Sequence, residues 1–166
     1  MVAFRLGLPG TFEKNGSEGA LHTTYGFNLR WDSPIERYVL LGPLLQFGAW
    51  RPDATGANWN YAFDLALYVR GRIPISTPSN NFQIWAGVPI GVSFSVLGSD
   101  SGASGPGLGW NVGVLFGGAI HFSRQFGMFA EFGWLQHRFS HSTDAGQDLD
   151  FRLSQWNLNL GFVFRN

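Results

Sequence analysis

Apolar and polar residues alternate one by one along most of this chain, which is the two-residue period of a β-strand. Leu21, Thr23, Tyr25, Phe27, Leu29 and Trp31 alternate with His22, Thr24, Gly26, Asn28 and Arg30. Trp59, Tyr61, Phe63, Leu65, Leu67 and Val69 alternate with Asn60, Ala62, Asp64, Ala66, Tyr68 and Arg70. The same period runs through 82–96, 108–122, 126–137 and 156–164. A helix would scatter these residues around its whole circumference. Two less regular segments, 2–8 and 37–50, bring the predicted strands to eight. The second is apolar on both faces, and Gly42-Pro43 inside it predicts a bulge that swaps its facing.

The connections alternate in length. Those at 10–20, 51–58, 98–107 and 141–148 are mostly longer, whereas 32–36 and 123–125 are short and 74–81 is intermediate. The polar face of the strands carries small residues, among them Gly26, Asn28, Ala62, Ala66, Gly87, Gly91, Ser93, Gly109, Gly113, Gly117 and Gly161. A face that met water would carry Lys, Glu and Asp instead. Small residues suit the cramped inside of an eight-stranded barrel. The apolar face is then the outside, and its solvent is lipid.

Composition sharpens this picture. Charged residues are 13% of the chain, against roughly 25% in an ordinary soluble protein, so there is too little charge to coat a water-facing surface. The formal net charge is zero, which gives no footprint for nucleic acid. No run of about 18 apolar residues exists, so the chain does not cross a membrane as a helix. Strands such as 21–31 and 59–69 match the roughly 9–11 residues a tilted strand needs to cross. Trp50, Trp59, Trp110, Trp134 and Trp156 fall toward the long-loop ends of their strands, and Trp31 toward a short-turn end. Such rings form girdles at lipid headgroups. Met1 leads straight into Val-Ala-Phe-Arg-Leu, read here as a mature chain with an added start methionine. The expectation is one domain, 1–166, folded as an all-β, eight-stranded, antiparallel, up-and-down transmembrane barrel.

The C-terminal run Asn159-Leu160-Gly161-Phe162-Val163-Phe164, with alternating aromatics, resembles the final-strand signal of bacterial outer-membrane proteins. As a pattern of strands and loops the whole chain is similar to the small barrels of the outer-membrane protein A, X and opacity-protein kind. Arg165-Asn166 after the last Phe is a departure, since many members end on the aromatic. The resemblance implies residence in a bacterial outer membrane, with membrane lipid and lipopolysaccharide as partners and extracellular loops open to a protein partner.

Candidate chemistry is sparse. Arg5, Asp64 and Glu131 all take inward positions near mid-height, and buried charges are costly unless paired. They are expected to form one ion-pair cluster with Arg5 as the shared cation. His137, Ser140, His141, Ser142, Asp144, Asp148 and Asp150 crowd the last connection. His with Ser and an acid suggests a hydrolase, and the lipid A deacylases, an eight-stranded serine-enzyme family, carry His-x-Ser near the end of a late strand with a downstream Glu. Here His141 and Ser142 are adjacent, so on a strand they point oppositely, and no Glu follows residue 131. A solvated polar loop is the better account, and no catalytic residue is assigned. His137 and His141 share a face but lie about 13 Å apart on an extended strand, too far for one metal ion. Neither metal nor cofactor is expected. A non-enzymatic structural or surface-interaction barrel leads. A small-solute or lipid-handling barrel, including a lipid A hydrolase, is the alternative, and a soluble ligand-binding barrel the outsider.

Overall fold

The computed structural model describes residues 1–54, 56–76, 81–98, 105–123, 125–143, 146 and 148–164. Asp144 and the terminal Arg165-Asn166 lie outside the described residues. Strand segments β1 (Val2–Gly7), β2 (Gly10–Lys14), β3 (Ser17–Leu21), β4 (Thr24–Arg30), β5 (Ser33–Glu36) and β6 (Val39–Trp50) cover the first third. Five long strands follow: β7 (Asn60–Ser76), β8 (Asn81–Val96), β9 (Gly107–His121), β10 (Phe126–Ser142) and β11 (Asp148–Phe164). All neighbours pair antiparallel, in the order β1-β4-β6-β7-β8-β9-β10-β11. Val2 opposes Leu29 of β4 on one side and Phe162 of β11 on the other, so the sheet closes on itself. The result is a ring of 8 strands. Closure leaves these strands no long unpaired edge, a requirement for any sheet surrounded by lipid.

The remaining segments extend the ring. β2 and β3 resume the β1–β4 pairing beyond a break at 8–9 and 22–23, and β2 also pairs with β11. Their tip is Asn15-Gly16, at φ 49° and 82°, the two positive values of the hairpin turn that Asn-Gly favours. The connection at 10–20, expected as a loop, is therefore a β-hairpin standing on the barrel rim. At the other end β5 folds against the start of β6, with its irregularity between Pro34 and Glu36.

Two expectations about facing are corrected. The register of β6 against β7 is unbroken from Val39↔Gly71 to Trp50↔Asn60, so there is no bulge at Gly42-Pro43. Gly42 serves a different need: a side chain there would run into the backbone of Trp31. With no swap, Trp50 keeps the inward parity of Leu44 and Gln46 and is buried in the barrel mouth instead of joining a girdle. Leu21 also turns inward, because the break at 22–23 offsets it from Tyr25 and Phe27, which face out.

Burial is inverted relative to a water-soluble protein. Asp64, Arg70, Asn111, Asn157 and Asn159 are among the most buried side chains, whereas Leu65, Ile90, Val92, Phe116 and Leu160 stand exposed. Water would charge heavily for this arrangement; hydrocarbon would not.

Candidate functional site: a layered lumen

A strand sends alternate residues inward, so β7 reads the lumen from the loop end to the terminus end as Asn60, Ala62, Asp64, Ala66, Tyr68 and Arg70. Each meets a different layer. At the loop end Leu21, Trp50, Ala62, Phe139, Leu149, Phe151 and Leu153 pack into an apolar plug. Here the hairpin and the top of β11 bring together side chains that are far apart in sequence.

Next comes a charged layer. The Asp64 carboxylate accepts a hydrogen bond from Ser93 Oγ at 2.6 Å and lies 3.0 Å from His137 Nε2. Arg5 Nη1 is 3.9 Å from it. A side chain at Gly48 would strike the Arg5 guanidinium, so that glycine supplies the room the cation occupies. Asn111 Nδ2 donates to Ser93 Oγ at 2.8 Å and extends the network. Below it Leu44, Ala66, Tyr68, Leu115 and Leu135 form an apolar partition.

The second charged layer is built on Glu131. Its Oε2 accepts from Arg30 Nη1 at 2.9 Å, Tyr68 OH at 2.9 Å and Trp85 Nε1 at 2.8 Å. Its Oε1 accepts from Asn159 Nδ2 at 3.0 Å. The Arg30 guanidinium sits over the Tyr68, Trp85 and Phe129 rings at 5.0, 5.6 and 5.4 Å. Arg70 Nη2 approaches Asp32 at 2.6 Å, and its guanidinium lies 4.9 Å from the Trp85 ring centre. Gly117 faces Trp85, whose ring fills the space a side chain would take. Ala3, Trp85, Ala119, Phe129 and Val163 close the terminus end.

Arg5, Asp64 and Glu131 are thus all inward and buried, but they do not share one cation. Arg5 lies beside Asp64, while Glu131 belongs to Arg30, one apolar partition away. The correction follows from height: Asp64 and Glu131 occupy separate layers of the same lumen. Arg30, Arg70, Tyr68 and Trp85 went unremarked as site residues, although the inward parity of Arg30 and Arg70 was available as a signal.

The histidines are not in a solvated loop. β10 continues to Ser142, which places His137 and His141 inside the barrel and Ser140 and Ser142 outside. His141 Nε2 instead meets Ser95 Oγ at 2.6 Å. Among the described residues no group of three or more His, Cys, Asp or Glu is placed to hold a metal ion.

On the outside, Trp31, Trp59, Trp110 and Trp156 are exposed and Trp134 is half-buried. Trp156 stacks on Phe132 at 5.1 Å between ring centres and 8° between planes. At the terminus end Phe126 stacks on Phe162 at 5.6 Å and tilts against Phe164 at 5.7 Å.

No protein-family profile and no curated protein sequence matches the chain. Solved structures do. The outer membrane protein OprG from Pseudomonas aeruginosa superposes with a TM-score of 0.61 at 11% identity, over 98% of this chain and 92% of that one. Neisserial surface protein A, NspA, superposes with a TM-score of 0.59 at 8% identity, over 99% of this chain and 96% of that one. The outer membrane enzyme PagL superposes with a TM-score of 0.42 at 14% identity, over 95% of this chain and 98% of that one. The closed ring, the inverted burial and the likenesses to OprG and NspA define the class by fold: a small eight-stranded β-barrel with an apolar exterior, of the kind found in bacterial outer membranes.

Proposed function

We propose that the chain is a non-enzymatic outer-membrane barrel with a structural or surface-interaction role, its longer connections at the cell exterior and its termini at the periplasmic side. Membrane lipid and lipopolysaccharide are its surroundings, and a protein partner would meet the loop end. The observation that carries this reading is the filled lumen, in which apolar plugs at both ends enclose two layers of paired charge. Eight strands leave room for side chains but not for an aqueous channel. In planar bilayers the purified chain is expected to give no discrete conductance steps. Asp64→Ala is expected to stay equally silent, because both plugs remain. Steps of constant size in the wild type, altered in the variant, would replace this reading with a small-solute pore.

One observation favours a lipid hydrolase as a second reading. Ser95 Oγ lies 2.6 Å from His141 Nε2, and His141 Nδ1 lies 3.4 Å from the Gly105 carbonyl, the order of a nucleophile, its base and an orienting acceptor. Both side chains are buried, and His141 packs against Phe139 and Phe151, which leaves no room for a bulky acyl chain. A fluorophosphonate probe, which labels activated serines, is therefore expected to leave the detergent-folded protein unmarked. Labelling that disappears in Ser95→Ala and in His141→Gln would establish the hydrolase.

A further inference from the structure

The outer face of the barrel changes character on one side. On β10, above Trp134, the outward residues become Gln136, Arg138, Ser140 and Ser142. On β11, above Trp156, they become Ser154, Arg152, Asp150 and Asp148. The row next to Arg138 holds Trp110 of β9 on one side and Arg152 of β11 on the other, and Arg152 in turn opposes Glu13 of β2. Of these residues all but Ser142 and Ser154 border a groove of about 560 Å³ on the outside of the barrel.

Like charges directly opposite each other on neighbouring strands are destabilising, yet Arg138 and Arg152 are such a pair. Their neutralisation within the chain is partial. Arg138 Nη2 bonds Asp150 at 2.9 Å, but Arg152 Nη1 lies 4.0 Å from Glu13, beyond hydrogen-bond reach. The Gln136 amide oxygen, turned toward Arg152, accepts from its Nε and Nη2 and holds that guanidinium on the groove floor. Two adjacent guanidiniums offer the forked donors that suit a phosphate. At one end the exposed Trp110 ring offers a flat apolar surface. At the other, Asp148, Asp150 and Glu13 offer acceptors for hydroxyl or ammonium groups.

We propose that this groove binds a phosphorylated amino sugar. Its phosphate lies across Arg138 and Arg152, its ring against Trp110, and its hydroxyl and N–H donors, amine or amide, on the carboxylates. The acceptors beside the arginines fit a ligand that carries O–H and N–H donors as well as a phosphate, which a bare anion does not. Placed just beyond the aromatic residues at the loop end, the groove is at the height of lipid headgroups in the outer leaflet. The inference therefore rests on the outer-membrane reading and names the headgroup chemistry it would meet there.

Calorimetric titration of the detergent-folded full chain tests this, with lipid A in mixed micelles, glucosamine 1-phosphate and inorganic phosphate as separate ligands. The two sugar phosphates are expected to bind, with inorganic phosphate about tenfold weaker or worse. Arg138→Gln and Arg152→Gln are each expected to lose about tenfold or more, the scale of one charge-assisted contact. Trp110→Ala is expected to weaken the sugar phosphates and leave inorganic phosphate unchanged. Binding of lipid A but not of soluble glucosamine 1-phosphate, lost in the arginine variants, supports the site and identifies the lipid as its source. Undiminished binding in the double arginine variant overturns the proposal, as does inorganic phosphate binding as tightly as the sugar. Heat-modifiable gel mobility separates the two levels of failure. A wild type that shifts on boiling but binds nothing sinks the groove alone; one that folds only without detergent sinks the outer-membrane reading as well.

Discussion

Glu131→Ala is expected to lower the free energy of unfolding by about 3–5 kcal/mol, the usual cost of breaking a buried ion pair from one side. The carboxylate is a junction. From β10 it receives donors on β4, β7, β8 and β11, through Arg30, Tyr68, Trp85 and Asn159. Removing it leaves Arg30 buried with, among the described residues, only Asp32 at 3.6 Å as a counter-charge, and that carboxylate is already engaged by Arg70 at 2.6 Å. Glu131→Gln keeps the volume but directs an amide N–H₂ into a ring of donors, so it is expected to cost nearly as much. The informative control is Arg30→Met with Glu131→Leu. Replacing both charges removes the uncompensated cation, and such exchanges are often close to neutral, so the double variant is expected to be more stable than Glu131→Ala. Urea titration of refolding in detergent micelles, followed by tryptophan fluorescence, measures all four proteins. A double variant no more stable than Glu131→Ala would show that the hydrogen bonds to Tyr68, Trp85 and Asn159, and not the stranded charge, dominate this layer.

The closed ring was legible in the sequence because lipid and lumen impose opposite demands on successive residues. Leu65 and Asp64, or Leu160 and Asn159, leave no doubt which way each points. The same logic failed where the strand path is not continuous. Leu21 shares odd numbering with Tyr25 and Phe27, but the irregularity at 22–23, opposite Leu8 and Pro9, breaks the parity between them. Trp50 went astray in the other direction, since Gly42-Pro43 suggested a bulge and β6 carries none. Gly42 answers to the Trp31 backbone, a neighbour that only pairing brings near.

The candidate site shows a second limit. Alternation says that Arg5, Asp64 and Glu131 point inward, but height inside a barrel depends on how eight registers add up. An error of two residues in any register, the smallest that keeps each side chain on its own face, moves a charge by a layer. Arg30 and Arg70 show the consequence: with their parity known but not their height, nothing connected them to Glu131 and Asp32. The exterior groove was hidden for a related reason. Arg138, Arg152 and Glu13 become a row only through the pairings of β10 with β11 and of β11 with β2, and β2 lies in a segment that read as loop.

Whether the outside of this barrel meets hydrocarbon can be measured one residue at a time along β7. Leu65 stands well inside β7, exposed, with Leu45 and Val92 as its cross-strand neighbours. Leu65→Arg puts a charge at the centre of that apolar surface and is expected to cost about 2–4 kcal/mol in lipid, the penalty for arginine at a bilayer midplane. Ile75 faces the same way ten residues on, near the terminus end. Ile75→Arg is expected to cost only about 0–1 kcal/mol, because the guanidinium reaches the headgroups. Reversible urea unfolding in phospholipid vesicles reports both. If the two variants cost equally little, within about 0.5 kcal/mol of the wild type as for ordinary surface changes, the apolar exterior does not lie in hydrocarbon. A penalty that falls from Leu65 to Ile75 would trace the depth profile of a bilayer, which fold similarity alone does not supply.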